Sequence, residues 1–313
     1  MTPPRILVTG ANGDIANAVA RALADAFPGA CLWGTDLGGE WPGRTVFERV
    51  ETVPRADAPE YPGRLAQIAH DMAADLVIPV TEPELARLSA DPGDAFNLPL
   101  LMNAPEVLDR FLDKLATAEW LAEAGVDIPA TRPLTDASAD DLPLMIKPRT
   151  GSGSRGLEIV RTPERLTLCQ NERGGDAIAQ ELLEAEDSEF TCALFRHGGE
   201  LRVIAMRRWL SGGMTGRMII ENPPEIHALM ARIADGLPAT AAVNVQLRQV
   251  GNRFAVFEIN PRLSSTAMMR HKAGFRDAQW WVAAHLWNQM PPPFTPPVGA
   301  RVYRTYGEVL VLQ

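Results

Sequence analysis

Two segments of alternating polar and apolar residues meet at Gly251-Asn252 and predict a β-hairpin in the C-terminal third of the chain. The first segment reads AVNVQLRQV and the second reads RFAVFEINPR. Successive residues of a strand point to opposite faces of a sheet, so the pairing register decides which side chains share a face.

The register depends on the loop. A strict two-residue loop places Glu258 opposite Val245 and mixes polar and apolar residues on both faces. A three-residue loop, or one bulge, instead places Glu258 opposite Gln246 and Asn260 opposite Asn244. We predict this second register because it separates polar from apolar residues. The apolar face is then predicted to hold Val245, Leu247, Phe257 and Ile259.

The polar face of the hairpin carries ligand types that a hard cation prefers. Glu258 supplies a carboxylate, and Gln246 and Asn260 supply amide oxygens, which suit Mg²⁺. Arg262 follows directly after this face. An ordinary solvated strand face is the alternative interpretation, and these residues alone leave both open.

The N-terminal segment RILVTGANGDIANAVARALADAF predicts a strand, a Gly-rich turn and a helix. A second predicted strand ends at Asp36, and a third, ADLVIPV, precedes Thr81-Glu82. Together they indicate a doubly wound α/β unit of about 100 residues.

The same turn raises an alternative from another class of protein, an NAD-dependent epimerase or reductase. Gly10, Gly13 and Ala16 imitate a dinucleotide fingerprint, and Asp36 lies where a ribose-binding acid would be expected. Such enzymes also need a Tyr and a Lys four positions apart. The three tyrosines do not meet this requirement, because Tyr61, Tyr303 and Tyr306 are followed at that distance by Leu65, Gly307 and Leu310.

Length and composition exclude several classes of protein. A chain of 313 residues predicts two or three subdomains, and its net charge of −9 argues against a nucleic-acid partner. No Cys/His cluster has zinc spacing, and three scattered cysteines predict reduced thiols in a cytoplasmic protein. We expect no signal peptide and no membrane span.

Of the 30 basic residues, only Lys114, Lys147 and Lys272 are lysines, which suggests that a compact point charge is needed there.

The middle of the chain predicts a nucleotide-binding arrangement. NAPEVLDRFLDKLATAEWLAEAGV is predicted as one long helix with Gly125 as its C-cap. In KPRTGSGSRG, a strand lysine precedes a Gly/Ser loop whose backbone N–H groups suit phosphate oxygens, although it is not a Walker A loop. A mobile hairpin tip is the alternative for that loop. AQELLEAEDSEF then predicts a strand running into a linker that offers its backbone to an adenine edge.

Lys147 with its Gly-rich hairpin, Glu181, Gln246 and FEINPR occur in an order that resembles the ATP-grasp superfamily. DKLAT upstream resembles that family's first phosphate-lysine segment, and the nearest branch resembles half of a carbamoyl phosphate synthase large subunit. The resemblance spans most of the chain. It implies an α/β and α+β fold with three parts: a Rossmann-like N-terminal domain at 1–104, a linker helix and small lid at 105–185, and a larger sheet domain at 186–313.

The resemblance also implies roles for individual residues. The phosphate groups of ATP are expected to meet Lys114, Lys147, Arg262 and the loop residues Gly151, Ser152, Gly153, Ser154, Arg155 and Gly156. The adenine hinge is expected at Glu181, Leu182 and Leu183, and the ribose acid at Glu189, with Glu186 as the alternative. The magnesium ligands are expected to be Gln246, Glu258 and Asn260, and manganese can substitute for magnesium.

The family activity that these residues imply is ATP-dependent carboxylate–amine (or ammonia) ligation through an acyl phosphate, with release of ADP and phosphate. A carbamoyl-phosphate-synthase-like carboxylate or carbamate kinase is the alternative. Arg270 and Lys272 are expected to contact the substrates, with His271, Arg207 and Arg208 as weaker candidates. The expected partners are small-molecule carboxylates and amines rather than nucleic acid or membrane, and a homodimer is left open.

Overall fold

The computed structural model describes residues 2–38, 46–90, 98–151, 156–184 and 188–305. Within these ranges the strands form three sheets, one parallel and two antiparallel. The predicted α/β and α+β class is therefore confirmed. The three domain boundaries remain predictions, and residues 185–187 at the second boundary lie outside the described residues.

The parallel sheet has the strand order β3-β2-β1-β4. Its strands are β1 (Arg5–Thr9), β2 (Cys31–Asp36), β3 (Arg49–Thr52) and β4 (Leu76–Ile78), and its helices are α1 (Asp14–Ala26), α2 (Tyr61–Met72) and α3 (Glu82–Ala90). The apolar run Ile6, Leu7 and Val8 is fully buried because helices cover both faces of this sheet.

A smaller antiparallel sheet follows, with the strand order β5-β8-β6-β7. It contains β5 (Thr131–Pro133), β6 (Leu144–Pro148), β7 (Glu158–Val160) and β8 (Ala177–Glu181), with α6 (Pro163–Arg173) packed against it. Before it, the predicted single long helix is two helices, α4 (Pro105–Phe111) and α5 (Lys114–Glu123). The prediction of one helix is wrong because the Asp113 side chain caps α5, accepting hydrogen bonds from the backbone N–H groups of Leu115 and Ala116.

The largest sheet has six strands in the order β13-β12-β9-β10-β11-β14. The strands are β9 (Glu189–His197), β10 (Glu200–Ser211), β11 (Met214–Glu221), β12 (Thr240–Val250), β13 (Arg253–Asn260) and β14 (Arg301–Tyr303), and the helices are α7 (Pro224–Asp235), α8 (Ala267–Lys272) and α9 (Asp277–Trp287). The predicted hairpin is present as β12–β13, and β9 and β10 form a second antiparallel hairpin.

The two faces of the six-stranded sheet differ in character. One face is apolar and packs against α4, α5 and α7, with Val245, Leu247, Val256 and Ile259 in its core. The other face begins apolar, where Ala193, Met206 and Ala242 lie against α1, α8 and α9. Further along the same strands this second face becomes polar. A polar cavity wall is the result.

The predicted register of the β12–β13 hairpin is confirmed. Gln246 lies opposite Glu258, and Asn244 lies opposite Asn260. The loop has two residues, and a register shift follows Gln246, so a bulge rather than a longer loop corrects the pairing. Phe257 is the extra residue, and its predicted place on the apolar face is wrong. Val256 occupies that place instead.

Candidate active site

A cavity of about 540 Å³ lies where the polar part of the six-stranded sheet faces the smaller sheet. Side chains from all three sheets and their connections reach it. The predicted residues that line it are Lys114, Lys147, Gly151, Glu181, Leu182, Leu183, Glu189, Gln246, Glu258, Asn260 and Arg262. The structure therefore brings together most of the predicted site from segments that are far apart in the chain.

The oxygen-bearing face of this cavity fits a hard cation. Glu258, Gln246 and Asn260 line the cavity side by side on β12 and β13. The Glu258 carboxylate makes no hydrogen bond with the described residues, while the Gln246 side-chain oxygen accepts one from Arg208 at 2.9 Å. A carboxylate with amide oxygens is a donor set that Mg²⁺ accepts, usually with water completing the shell. Within the described ranges no group of three His, Cys, Asp or Glu residues is arranged to hold a metal ion.

Lys147 is the most perturbed titratable group of the cavity. Its side chain is buried, and the ammonium lies 5.0 Å from the ring centre of Phe257. Burial lowers the pKa of Lys147 to about 8, with Glu258 opposing the shift and Lys114 adding to it. The buried ammonium lacks a full counter-charge, so an anion in the cavity would stabilise it.

Lys114 and Arg262 add two further cations to the lining of the cavity. The Lys114 ammonium donates a hydrogen bond to the carbonyl oxygen of Gly151 at 2.6 Å, which ties the start of α5 to the Gly-rich loop. Gly151 has a φ of +100° and Gly156 a φ of +73°, so both glycines are needed to shape the ends of this loop. Ser152, Gly153, Ser154 and Arg155 lie outside the described residues.

Arg262 forms a buried ion pair that the sequence did not reveal. Its guanidinium donates to a Glu82 carboxylate oxygen at 3.1 Å, and the two side chains are only 9% and 11% exposed. The Arg262 Nε atom is buried without a partner among the described residues. The pair links the site to α3 of the parallel sheet, and Thr81-Glu82 at the end of a predicted strand was the available signal.

The predicted hinge follows β8 directly. The Glu181 backbone N–H donates to the carbonyl oxygen of Ala130, and the Glu181 carboxylate faces Arg253 at 3.3 Å. The Leu183 carbonyl oxygen accepts from Arg248 at 2.5 Å. Leu182 and Leu183 both line the cavity, and apolar residues of this kind suit an adenine ring.

Glu189 holds two arginines at the cavity wall. One carboxylate oxygen accepts from Arg208 at 2.5 Å and the other from Arg248 at 2.6 Å. Burial opposes ionisation of this group, but the two guanidinium groups outweigh it and hold the pKa of Glu189 below its usual range. The predicted ribose acid is therefore ionised. Glu186, the alternative, lies outside the described residues.

Arg270 and Lys272, predicted to contact substrate, do not line the cavity. Arg270 is 1% exposed and binds Asp277 with two nitrogens, at 2.6 and 2.9 Å. Lys272 and His271 both reach Asp25 on α1, at 3.0 and 2.9 Å. Acidic partners account for all three side chains, and burial lowers the pKa of His271 below its usual range. The structure places none of the three in the cavity, contrary to the prediction.

Of the two weaker candidates on β10, only Arg208 lines the cavity. Arg207 stands on the opposite face, where its guanidinium pairs with Glu221 at 2.7 Å and lies over the Phe190 ring. The alternation of neighbouring strand residues accounts for this difference.

The Gly-rich turn after β1 has a structural explanation. One Asp36 carboxylate oxygen accepts from the backbone N–H of Asn12, and the other accepts from that of Leu37, both at 2.7 Å. The residue expected to bind a ribose in an NAD-dependent enzyme thus fixes the turn itself. This arrangement argues against the oxidoreductase alternative.

The three sheets and the cavity between them form an ATP-grasp fold, which confirms the predicted fold. Residues 175–305 match the family model described as ATP-grasp in the biosynthetic pathway with Ter operon. This match covers 131 of the 313 residues and assigns that part of the chain to an ATP-grasp domain. The carbamoyl-phosphate-synthase-like branch remains a prediction.

Solved structures extend the likeness over almost the whole chain. The N5-carboxyaminoimidazole ribonucleotide synthetase of Thermus thermophilus is 20% identical, with a TM-score of 0.69 over 94% of this chain and 80% of that one. The Staphylococcus aureus N5-carboxyaminoimidazole synthetase complexed with ADP is 15% identical, with a TM-score of 0.74 over 92% and 78%. The biotin carboxylase of Campylobacter jejuni is 13% identical, with a TM-score of 0.72 over 95% and 74%.

No curated protein matches the chain at the level of sequence. In the described residues, no helix is both long and apolar enough to cross a membrane.

Proposed function

We propose that this protein is an ATP-dependent carboxylate–amine ligase that forms an amide through an acyl phosphate and releases ADP and phosphate. One observation carries the proposal. The cations Lys114, Lys147 and Arg262 and the oxygen ligands Glu258 and Asn260 line one cavity. A site that only bound a nucleotide base would not need both a phosphate cradle and a cation face.

Different lining residues contact different parts of the nucleotide. Leu182 and Leu183 take the adenine edge, Glu189 takes the ribose hydroxyls, and the Gly151–Gly156 loop with Lys114 covers the phosphates. Neighbouring structures support this use of the fold, because two are described as complexes with ADP and one as a β,γ-ATP complex.

The chemistry follows from electrostatics. A carboxylate has no good leaving group, and phosphorylating it creates an acyl phosphate that an amine can attack. Lys147 and Arg262 stabilise the charge on the transferring phosphoryl group, since positioning and electrostatics account for most phosphoryl-transfer catalysis. Magnesium would be held by Glu258 with Gln246 and Asn260 and would supply further charge neutralisation at the phosphates, and manganese could replace it. No covalent nucleophile on the protein is needed.

The substrates are proposed to be small molecules in the cytoplasm. The three cysteines, Cys31, Cys169 and Cys192, are free thiols, as a reducing compartment favours. The loop from Gly151 to Gly156 is proposed to close over the phosphates, because water would otherwise hydrolyse the acyl phosphate.

Isotope transfer tests the reaction directly. A screen of carboxylates crossed with amines is read by ADP release, and the active carboxylate is then labelled with oxygen-18. Transfer of the label to inorganic phosphate is the expected result. Formation of AMP and pyrophosphate, or label that stays out of phosphate, contradicts the acyl-phosphate mechanism.

Two lysine variants make this test specific to the cavity. Lys147→Ala is expected to lower turnover by about 10² or more, comparable to losing one charge-stabilising donor. Lys272→Ala, which removes a lysine outside the cavity, is the matched control and should retain turnover.

Stabilisation of the fold by Mg·ATP but not by NAD is expected in thermal unfolding; the reverse would favour an oxidoreductase.

A further inference from the structure

The cavity has a second end that the proposed nucleotide and cation residues do not use. Hydroxyl side chains dominate it, from the segment after β13 and from β11. We call Thr215, Ser264, Ser265 and Thr266 the hydroxyl wall. Asp14 and Ile15, at the start of α1, line the cavity as well.

Two arginines hold the hydroxyl wall in place from behind. Arg270 donates to the Ser264 and Thr266 hydroxyl oxygens, both at 2.8 Å. Arg304 donates to the backbone carbonyl oxygens of Thr215 at 2.9 Å and Ser265 at 2.8 Å. The wall is thus positioned before any ligand arrives, as a binding site requires.

Two polar groups at this end have no partner among the described residues. Thr215 is 1% exposed, and its hydroxyl makes no hydrogen bond within the described ranges. The half-buried Asp14 carboxylate likewise has neither a hydrogen bond nor an ion pair with a described residue. A buried hydroxyl without a partner is unfavourable unless a ligand or water satisfies it. The buried Thr215 hydroxyl therefore indicates a ligand or water here, and Asp14 adds a half-exposed carboxylate to the lining of the same cavity.

The charge of this end selects the ligand. Asp14 is anionic, while Arg270 and Arg304 lie behind the wall and are not among the cavity-lining residues. The cations that line the cavity are Lys114, Lys147, Arg208, Arg248 and Arg262. The first four belong to the nucleotide end, and Arg262 is already paired with Glu82 at 3.1 Å. A phosphorylated amine would place a dianion beside Asp14 without a dedicated cation, whereas an ammonium group gains a counter-charge and hydroxyl acceptors.

We infer that the hydroxyl wall and Asp14 bind the amine substrate, and that this substrate is a small unphosphorylated primary amine held as its ammonium form. The assignment rests on the proposed ligase function. In the transfer step, the C–N bond forms and the C–O bond to phosphate breaks, with the electron pair leaving on phosphate. Of the two protons that the ammonium loses, one passes to Asp14 and on to solvent, and one passes to the departing phosphate.

A matched pair of amines tests the charge requirement. Ethanolamine, glycine, 1,4-diaminobutane and O-phosphoethanolamine are each titrated into the protein loaded with magnesium and a non-hydrolysable ATP analogue. Calorimetry measures each affinity, and ethanolamine and O-phosphoethanolamine form the matched pair. At least one unphosphorylated amine is expected to bind, and O-phosphoethanolamine to bind about tenfold or more weakly than ethanolamine if ethanolamine is the binder. Tighter binding of the phosphorylated amine, or no binding by any unphosphorylated one, overturns the assignment.

Variants of Asp14 locate the interaction. Asp14→Asn is expected to weaken amine binding by about tenfold or more, with nucleotide affinity unchanged and with recovery in Asp14→Glu. Glu225→Gln is the control, because Glu225 also lies in the first turn of a helix but outside this cavity. Equal amine affinity in Asp14→Asn and wild type overturns the assignment. Nucleotide binding is measured separately. If the wild-type protein does not bind the ATP analogue, the result contradicts the proposed function rather than the assignment of the amine site.

Discussion

Among single residues, Lys147 shows the conflict between folding and function most clearly. It is 7% exposed, and burial lowers its pKa to about 8 from the ordinary lysine value of 10.5. The folded protein therefore disfavours the protonated form that a phosphate needs. Such a group is retained at a cost to stability, which is typical of functional sites.

Replacing Lys147 is expected to stabilise the free protein. Because its folded pKa is below its unfolded pKa, the destabilisation is full below about pH 8 and fades as pH rises towards 10.5. Lys147→Met should raise the free energy of unfolding by on the order of 2 kcal/mol at pH 7 and by less at pH 9.5, measured by urea unfolding without nucleotide. Lys272→Met, at an exposed site, is the control. A variant that is less stable than wild type at both pH values contradicts this account.

The sequence anticipates some residues of the site better than others. Gln246, Glu258 and Asn260 could be predicted because their face follows from local alternation. Arg270 and Lys272 could not be placed, because positive charge alone does not reveal the partners Asp277 and Asp25. Asp25 is 247 residues from Lys272, so this pairing exists only in the tertiary structure.

At the scale of elements, the bulge in β13 decides what the hairpin presents to the cavity. It lets Val256 and Ile259 keep the apolar face while Phe257 and Glu258 both line the cavity. The sequence required an extra residue somewhere between the two strands. Its position could not be predicted, because a longer loop would satisfy the same hydrophobic pattern.

Glu258 is expected to be functional rather than structural at this bulge. Its carboxylate has no hydrogen bond with the described residues, so Glu258→Ala should change the free energy of unfolding by less than about 1 kcal/mol. Turnover should fall by about 10² or more, and the magnesium dependence of nucleotide binding should weaken. Urea unfolding and magnesium titration measure the two effects, with Glu258→Gln as the isosteric control. A stability loss of several kcal/mol would assign Glu258 to the structure instead.

At the scale of the whole molecule, the site exists only where the three sheets meet. The smaller sheet supplies Lys147, the six-stranded sheet supplies Glu258, and α3 beside the parallel sheet supplies Glu82. The order of motifs in the sequence predicted the fold and the first two contributions. It assigned no role to Glu82, because that role depends on Arg262, which is 180 positions away in the sequence and meets Glu82 only in the folded structure.

The Glu82–Arg262 pair is expected to couple nucleotide binding to the stability of the whole protein. Removing one partner of a buried pair leaves an uncompensated charge, so Glu82→Gln should lower stability by about 3 kcal/mol at most, since Gln retains a hydrogen bond. Mg·ATP then supplies Arg262 with an anionic partner. The nucleotide-induced rise in Tm should therefore be larger in Glu82→Gln than in wild type, with exposed Glu106→Gln as the control. A smaller rise in the variant would show that Glu82 supports nucleotide binding directly.

The scarcity of lysine gives the protein an unusual pattern of chemical reactivity. Two of its three lysine side chains, Lys114 and Lys147, line the cavity, and the third, Lys272, pairs with Asp25 outside it. An amine is nucleophilic only when neutral, and a pKa of about 8 makes the neutral form of Lys147 abundant at mild pH. Acylation of the lysines can therefore report whether the cavity is occupied. A bound ligand should protect Lys114 and Lys147 from the reagent, which lowers the acylation of their peptides. The peptide of Lys272 serves as an internal standard in the same mass spectrum.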